Sequence, residues 1–291
     1  MPARLEIPKM YKLFIGGKFT RTESERYLYA LNPKSGEKLC NISRASRKDL
    51  RNSVVAARAG FIEWSGKTAY ERGQIMYRLA EMLEGRKEQF IEEIYISTEQ
   101  SKAESRKEVN KAIDRIIYYA GFCDKWVQLV GTVNPVQAGY FNFSVPEPTG
   151  IVGIILSDTL SFLPLITRVA VTLTAGNSCI VIANDKAPLP ALTFSEVIAT
   201  SDFPSGVINI LTGMKSEIIP HIAGHFDVNA IDYCHESIEM KKNVQELCAN
   251  NVKRFHSLTD NWNWYSDDTN ENLKEIEKFV EIKTVWHTVG S

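Results

Sequence analysis

Apolar and polar positions alternate in short stretches over the first forty residues of the chain. Lys12 to Phe19 alternates around the pair Gly16-Gly17, which predicts a β-hairpin. A second short strand is predicted before the turn sequence NPKSGEK, which begins at Asn32. The chain is therefore expected to open with small β elements.

From Ser46 onward the apolar positions recur at helical spacing. Ser46 and Asp49 form a capping-box pattern ahead of the first helix, and Thr68 begins a second one. Further helical segments are predicted over residues 88–97 and 102–129. Aliphatic and aromatic residues form stripes on these helices, and we interpret the stripes as core packing rather than as a ligand groove.

Residues 132–148 predict a projecting β-hairpin, because three prolines and the alternating stretch YFNFSV do not suit a central strand. Beyond it, apolar runs and helical patterns alternate at the spacing of βαβ units. This alternation predicts an α/β fold with a doubly wound parallel, Rossmann-like sheet, an N-terminal helical layer and a small β element. The expected strands are 151–156, 178–183, 207–211 and 228–233, and the expected helices are 162–174, 189–200, 215–224 and 236–249.

The chain changes character after His256. The stretch DNWNWYSDDTNENLKE is polar and acidic without a clear period, and it predicts a loop or linker. Residues 279–289 (FVEIKTVWHTV) then predict a closing β-strand. We interpret the aromatic residues of this region as cover over the sheet, with anchoring of a partner as the alternative; they are Trp262, Trp264, Tyr265 and Trp286.

The composition argues against several classes of partner. Lys and Arg (34) nearly cancel Asp and Glu (35) over 291 residues, so no field that recruits nucleic acid or an anionic membrane is expected. No run of about 18 apolar residues suggests a membrane span, and the N-terminus lacks the apolar region of a signal peptide. We therefore expect a cytoplasmic protein. The cysteines lack metal-binding spacing and are expected to be reduced; they are Cys40, Cys123, Cys179, Cys234 and Cys248.

Several segments together carry a family resemblance. KLFIGGKF, LNPKSGE, SRKDLRNSVVAARAGFIEW, EPTGIVGIIL, TAGNSCIVI, PLPAL and DFPSGVINILTG occur in this order over residues 10–256. Their order and spacing resemble the coenzyme-binding half of the aldehyde dehydrogenase superfamily. The terminal EIKTVWHTV is similar to the closing strand of that superfamily. SRKDLRNSVVAARA and CDKW resemble the truncated, non-catalytic second half of the family 16 aldehyde dehydrogenases.

The resemblance implies that the catalytic domain is absent. In the superfamily a domain of about 150–200 residues precedes the closing strand, whereas about 20 residues do so here. The family's nucleophilic cysteine lies in the missing part, and its general-base glutamate aligns with Ser257 or Leu258. The expected segments are 1–131 (hairpin and helical layer), 132–149 (oligomerisation hairpin), 150–258 (Rossmann-like core), 259–278 (connector replacing the catalytic domain) and 279–291 (C-terminal oligomerisation strand).

The same resemblance marks the residues of a vestigial cofactor site. Thr159 replaces the asparagine that would stabilise the oxyanion, and its shorter hydroxyl cannot reach the same point. Lys215 replaces a glycine, and Glu236 is expected near a helix start, where its carboxylate would repel phosphate. Asp158, Thr159, Asn184 and Asp185 would line a residual adenine-nucleotide cleft, and the alternative is that they are solvated loop residues left after function lapsed. The predicted cofactor-binding positions are Leu156, Ser157, Asp158, Thr159, Asn184, Asp185, Gly213 and Glu236.

Cys234 invites a cysteine-nucleophile hypothesis because His235 follows it directly. Adjacent residues on a strand point to opposite faces, so the thiol and the imidazole need not meet. We interpret Cys234 as a buried cysteine at a strand end. No catalytic residue and no metal ligand is predicted.

The leading hypothesis is a catalytically inactive aldehyde dehydrogenase-like protein that acts in assembly. YFNFSV and FVEIKTVWHTV would supply edge strands for pairing with a copy of the chain or with a full-length aldehyde dehydrogenase subunit. No cofactor is expected to be needed, and binding of NAD would be weak or absent. One alternative is an NAD(P)-dependent aldehyde oxidoreductase, a fragment or subunit whose catalytic domain comes from another chain. A nucleotide sensor without chemistry is a third possibility.

Overall fold

The computed structural model describes residues 9–137, 139–258 and 262–289. The strands are β1 (Met10–Tyr11), β2 (Leu13–Ile15), β3 (Lys18–Thr20), β4 (Tyr27–Leu31), β5 (Lys38–Ser43), β6 (Thr132–Asn134), β7 (Tyr140–Pro148), β8 (Ile151–Ile155), β9 (Ser178–Ile182), β10 (Ile208–Leu211), β11 (Ala230–Tyr233), β12 (Arg254–Ser257) and β13 (Val280–Thr288). The helices are α1 (Arg47–Gly66), α2 (Ala69–Gly85), α3 (Lys87–Ser97), α4 (Lys102–Ala120), α5 (Trp126–Val130), α6 (Leu163–Thr174), α7 (Leu189–Ala199), α8 (Lys215–Ala223), α9 (Ile238–Ala249), α10 (Asp267–Asn270) and α11 (Leu273–Glu277).

A seven-stranded sheet forms the centre of the molecule, in the order β12-β11-β8-β9-β10-β2-β3. The five strands from β12 to β10 are parallel, which confirms the predicted doubly wound sheet. Strands β8 and β9 are buried along their whole length, because helices cover both faces of a parallel sheet. The chain runs outward from β8 through β9 to β10 and then returns to β11 on the other side of β8. The topological switch point therefore lies between β8 and β11.

The helical layer follows the capping signals in the sequence. The predicted capping box at Ser46 and Asp49 is present at the start of α1, and α2 begins with the same arrangement after Thr68. The helix predicted over residues 102–129 is wrong in its length. It ends at Ala120, and after a turn the short helix α5 begins.

The connector predicted as a loop is partly helical. Among its described residues, α10 and α11 begin after Ser266 and Asn272, whose side chains accept backbone N–H groups of the first turn. Its apolar residues enter the core: Trp264 is 6% exposed and Ile276 is fully buried. Residues 259–261 of the connector lie outside the described residues.

The aromatic cover is confirmed for part of the predicted set. Trp262, Trp264 and Tyr265 pack on the core cluster. The prediction is wrong for Trp286, which is 62% exposed. The reason is that β13 does not lie on the central sheet.

A separate antiparallel sheet holds the closing strand, in the order β13-β7-β6. Strand β13 pairs with β7 along its full length, from Val280 opposite Pro148 to Thr288 opposite Tyr140. The hairpin predicted over residues 132–148 and the closing strand predicted over 279–289 are both present. Strands β1, β5 and β4 form a third, small sheet.

Within the described residues, no helix combines the length and the apolar character needed to cross a membrane.

Candidate functional site at the switch point of the sheet

The loops that follow β8 and β11 meet at the carboxyl end of the sheet. Because β8 and β11 are adjacent parallel strands, Ser157 and Asp158 after the first come close to His235 and Glu236 after the second. Ligands of open α/β sheets bind in the crevice at this point. These four residues therefore lie where open α/β sheets bind their ligands.

A buried ion pair crosses the crevice. The Nζ of Lys215, the first residue of α8, contacts one carboxylate oxygen of Asp158, and the side chain of Lys215 is only 2% exposed. The other oxygen of Asp158 lies 3.1 Å from Nε2 of His235. Burial alone would raise the pKa of Asp158. The hydrogen bond from His235 and the charge of Lys215 outweigh it and hold that pKa well below its usual range.

The ring of His235 is fixed by two neighbours. Its Nδ1 accepts the backbone N–H of Ser237 at 3.1 Å, so in the neutral ring the proton is on Nε2 and is donated to Asp158. Ligand atoms of Asp158, His235 and Glu236 lie within 4.8 Å of one another, a spacing that could suit a metal ion. A metal ion could bind to Nε2 only if that nitrogen carried no proton, whereas the bond to Asp158 uses that proton. The hydrogen bonds therefore favour an ionic cluster over metal ligation.

Glu236 joins the two loops directly. Its carboxylate accepts the hydroxyl of Ser157 and the backbone N–H of Asp158, the latter at 3.3 Å. The hydroxyls of Ser157 and Thr159 lie 2.6 Å apart. Glu236 lies near the start of α9, as expected, but its carboxylate bonds to the loop after β8 and not to the N–H groups of the helix. Helix α9 begins only at Ile238, because the hydroxyl of Ser237 serves as its cap.

Carboxylates of the chain occupy two helix N-termini around the crevice. At α6, one oxygen of Glu108 accepts the N–H groups of Phe162 and Leu163, at 2.7 and 3.0 Å. At α8, Asp185 accepts the N–H of Lys215 at 3.1 Å. Burial raises the pKa of Asp185, while this N–H and the nearby ammonium act to lower it. Two N–H groups at the start of α6 and one at the start of α8, which could otherwise bind an anion, are therefore paired with carboxylates of the chain.

The remaining predicted residues shape loops and do not join this cluster. The N–H of Leu156 bonds to the carbonyl of Ile182, which continues the sheet ladder. The side chain of Asn184 donates to Leu160 and accepts the N–H groups of residues 186 and 187. Gly213 has a φ of +151°, and a Cβ there would lie 3.0 Å from the backbone nitrogen of Ala45. Only glycine suits that conformation beside a neighbouring backbone.

Sequence reasoning missed three residues around the crevice as site residues. Lys215 carried a signal, since it stands where the resemblance expects glycine at a phosphate-binding turn. His235 was weighed only as a partner of Cys234, and it bonds to Asp158 instead. Glu108 lies on α4, far away in sequence, and no local pattern marks it.

A pocket of about 420 Å³ lies beside the cluster, between the loops and the connector. Its walls include His235, Glu236, Trp262 and Trp264. Cys234 also borders it, but its thiol is buried, and burial raises its pKa well above the ordinary value. The interpretation of Cys234 as a buried strand-end cysteine is confirmed.

The comparisons with known proteins agree with this architecture. The profile of the aldehyde dehydrogenase family matches residues 19–260. Over 260 residues the chain is 31% identical to cytosolic 10-formyltetrahydrofolate dehydrogenase of Mus musculus, and over 253 residues 32% identical to that of Homo sapiens. These matches cover 86% and 84% of this chain but only 28% of each relative.

Solved structures give the same result for the fold. An NAD+ complex of aldehyde dehydrogenase from Bacillus cereus superposes with a TM-score of 0.81 at 23% identity. The match covers 86% of this chain and 50% of that one, so the chain spans about half the length of the solved enzyme. By the extent of the profile match and by the identity to its relatives, this chain belongs to the aldehyde dehydrogenase family.

Proposed function

We propose that this family member is catalytically inactive and acts in assembly, through the sheet formed by β6, β7 and β13. The observation that carries the first part is the internal pairing of the crevice. Lys215 is bonded to Asp158, and the helix starts of α6 and α8 are bonded to Glu108 and Asp185. The resemblance places the family's coenzyme at this edge of the sheet.

The residues present do not fit the pyrophosphate of a dinucleotide. A phosphate at α8 would have to displace Asp185 from the N–H of Lys215 and would meet the carboxylates of Asp158 and Glu236. The ammonium of Lys215 is buried against Asp158 and does not face solvent. We therefore expect NAD to bind weakly or not at all.

The thiols also argue against covalent catalysis by the described chain. All five cysteines are buried. Burial raises the pKa of Cys40, Cys123 and Cys248 to about 11 and that of Cys179 and Cys234 further still. A thiol of this kind carries almost no thiolate at neutral pH, and the thiolate is the nucleophile. The position of the general base is occupied by Ser257 or Leu258 under the family resemblance.

Exposed apolar side chains support the second part. The sheet of β6, β7 and β13 carries exposed apolar side chains on both of its faces, and exposed apolar surface can mark an interaction site. The partner is a copy of this chain or a full-length aldehyde dehydrogenase subunit, and its placement in the cytoplasm stays a prediction. The exposed residues of this sheet include Val133, Tyr140, Phe141, Ile282 and Trp286.

The test combines three measurements on the purified full chain. Light scattering after size exclusion should show an oligomer, alone or with a full-length aldehyde dehydrogenase. Calorimetry with NAD should show millimolar affinity at best, which corresponds to about −4 kcal/mol. Sustained NADH formation from an aldehyde panel would reject inactivity in favour of the oxidoreductase alternative. A chain that stays strictly monomeric, both alone and with the full-length aldehyde dehydrogenase, would reject assembly.

A further inference from the structure

Strand β13 has one free edge, and its pairing with β7 fixes which groups face outward. The N–H of Val289 bonds to the carbonyl of Gly139, and the N–H of Thr149 bonds to the carbonyl of Phe279. Hydrogen-bonded and non-hydrogen-bonded pairs alternate in an antiparallel ladder. The odd-numbered residues of β13 therefore bond to β7, and the even-numbered ones point their N–H and C=O groups away from it.

The prolines of β7 agree with this assignment. Pro146 lies opposite Ile282 and Pro148 lies opposite Val280, both even-numbered positions of β13. A proline has no N–H to donate, so it fits only where no ladder bond is needed. The even-numbered groups of β13 are thus not committed to β7.

Little in the sequence of β13 protects this edge. Its nine residues include no proline and no glycine, and most are exposed. Natural edge strands usually carry such breakers or free charges. The charges here are paired within the chain, Lys283 with Glu147 and Glu281 with Arg254. Strand β13 ends the order of its sheet within the described residues.

We propose that β13 pairs antiparallel with β13 of a second copy, about a two-fold axis that passes between the two Thr284 residues. This inference rests on the assembly role proposed above and names its partner and register. In that register all nine residues overlap, and the five outward-facing residues exchange about ten backbone hydrogen bonds. The three-stranded sheet becomes one continuous sheet across two copies.

The side chains are self-complementary in this register. Ile282 comes opposite Trp286 of the second copy, which is a β-branched residue against an aromatic one, a favourable cross-strand pair. Trp286 is already held on that face by an edge-to-face contact with Tyr140, at 5.9 Å between ring centres. On the opposite face, Glu281 comes opposite His287 of the second copy, so no like charges meet.

Other registers are weaker. A centre between two residues would place outward-facing residues opposite residues that bond to β7, so parity excludes it. A centre on Lys283 or Val285 keeps outward-facing residues opposite each other, but it overlaps only about seven residues and gives about eight ladder bonds. A centre on Ile282 or Trp286 has the right parity but overlaps only about half of the strand, with correspondingly fewer ladder bonds. Among the registers that parity allows, the one around Thr284 overlaps the whole strand and is therefore the one we propose.

The first experiment changes the outward N–H alone. Thr284→Pro removes a donor at the centre of the proposed pairing and none from the ladder with β7. Light scattering should show a dimer for the wild type and a monomer for Thr284→Pro. Thr284→Val is the matched control and should stay dimeric, because it keeps the N–H and a β-branched side chain. A dimeric Thr284→Pro would overturn the proposal.

The second experiment tests the register by oxidation of introduced cysteines. Thr284→Cys should form a disulfide dimer by itself, since paired strands bring its Cα atoms within disulfide range. Neither Ile282→Cys nor Trp286→Cys should cross-link alone. In this register each introduced cysteine lies four residues, about 13 Å along the strand, from the same cysteine of the second copy. An equimolar mixture of the two should cross-link. The native thiols are buried and give a clean background.

The outcomes separate this inference from the proposed function. A wild-type dimer in which Thr284→Cys and the mixture both fail to cross-link, or in which Ile282→Cys cross-links alone, rejects the register and leaves assembly standing. A chain that stays monomeric alone but binds a full-length aldehyde dehydrogenase also rejects self-pairing only. A chain that forms NADH and also cross-links as described would reject the proposed inactivity. The same result would support the pairing of β13 with a second copy.

Discussion

The buried ammonium of Lys215 and the carboxylate of Asp158 join the start of α8 to the loop after β8 across the crevice of the sheet. Both groups belong to this chain, and both stand where an open α/β sheet would receive a ligand. His235 holds the second oxygen of Asp158. The pair therefore contributes to stability at a position where an enzyme would use its side chains on a substrate.

Removal of either partner should destabilise the fold. Lys215→Met and Asp158→Asn should each lower the free energy of unfolding by about 2 kcal/mol, because each leaves a partly or fully buried charge without its main partner. The double variant should cost less than the sum, with a coupling of about 1–3 kcal/mol in urea unfolding. Exposed Lys242→Met serves as the control and should change little. Additive single effects would show that the pair does not couple.

Freeing the start of α8 should create an anion site. The triple variant Asp158→Asn, Asp185→Ser and Lys215→Gly removes two carboxylates and leaves a bare N–H at the helix start. Inorganic phosphate should raise the melting temperature of this variant. At a phosphate concentration of ten times the Kd, the added free energy of unfolding should be about 1.4 kcal/mol. The wild type should not respond.

Lys215→Gly alone is the matched control, since Asp185 still accepts the N–H in that variant. Its melting temperature should stay independent of phosphate. An equal response of the wild type and the triple variant would contradict the view that internal carboxylates fill the helix start.

The sequence predicted the central sheet well, because parallel strands buried on both faces leave continuous apolar runs such as Ile151 to Ile155. It failed at the connector. Helices α10 and α11 are four and five residues long, too short for a periodic signal, and they form because α4 and α6 bind them. Arg115, for example, is fully buried and pairs with Glu271 at 2.7 Å.

The candidate site was predicted only in part, for a related reason. The family resemblance identified Ser157, Asp158 and Glu236 as positions of the site, but not how they pair. Lys215 at the start of α8 bonds to Asp158, and Glu236 after β11 bonds to Ser157, because the strand order brings these segments together. Pairings across sequence separations of this size leave no local pattern.

The tyrosines of α4 should contribute unequally to anchoring the connector. The hydroxyl of Tyr119 donates to the carbonyl of Asn270 at 2.6 Å and is buried, whereas that of Tyr118 donates to Glu271 at 2.8 Å and is half-buried. Tyr119→Phe should cost about 1–3 kcal/mol, because it leaves a buried carbonyl unpaired. Tyr118→Phe should cost about 0.5–1 kcal/mol, because water can replace its bond.

Each variant lacks one hydroxyl oxygen of the wild-type protein, so the two form a matched pair. Urea unfolding gives the free energies, and proteolysis of the native protein reports on opening of the connector. Tyr119→Phe should be cleaved faster than Tyr118→Phe. Equal stability and equal cleavage would show that the connector is held by its apolar residues alone.

A buried carboxylate on strand β11 should make the stability of the fold depend on pH in acid. Asp232 is fully buried, and it accepts Nε of Arg168 at 2.5 Å and Nδ1 of His256 at 3.0 Å. Burial alone would raise its pKa, but the charge of Arg168 and the bond from His256 outweigh burial and lower the pKa to about 2. A lowered carboxyl pKa contributes stability above the ordinary value near 3.8, and that stability is lost as pH falls through 3.8 towards 2.

Asp232→Asn should therefore lower the free energy of unfolding by about 2 kcal/mol at pH 7. The difference in unfolding free energy between the wild type and the variant should persist at pH 5. It should narrow at pH 3, where the wild-type carboxyl becomes protonated in the unfolded chain. Urea unfolding at pH 7, pH 5 and pH 3 measures this difference. Asp114→Asn, at an exposed position of α4, should match the wild type throughout. A gap that stays constant from pH 7 to pH 3 would mean that Asp232 contributes by shape and hydrogen bonding, and that its charge adds nothing.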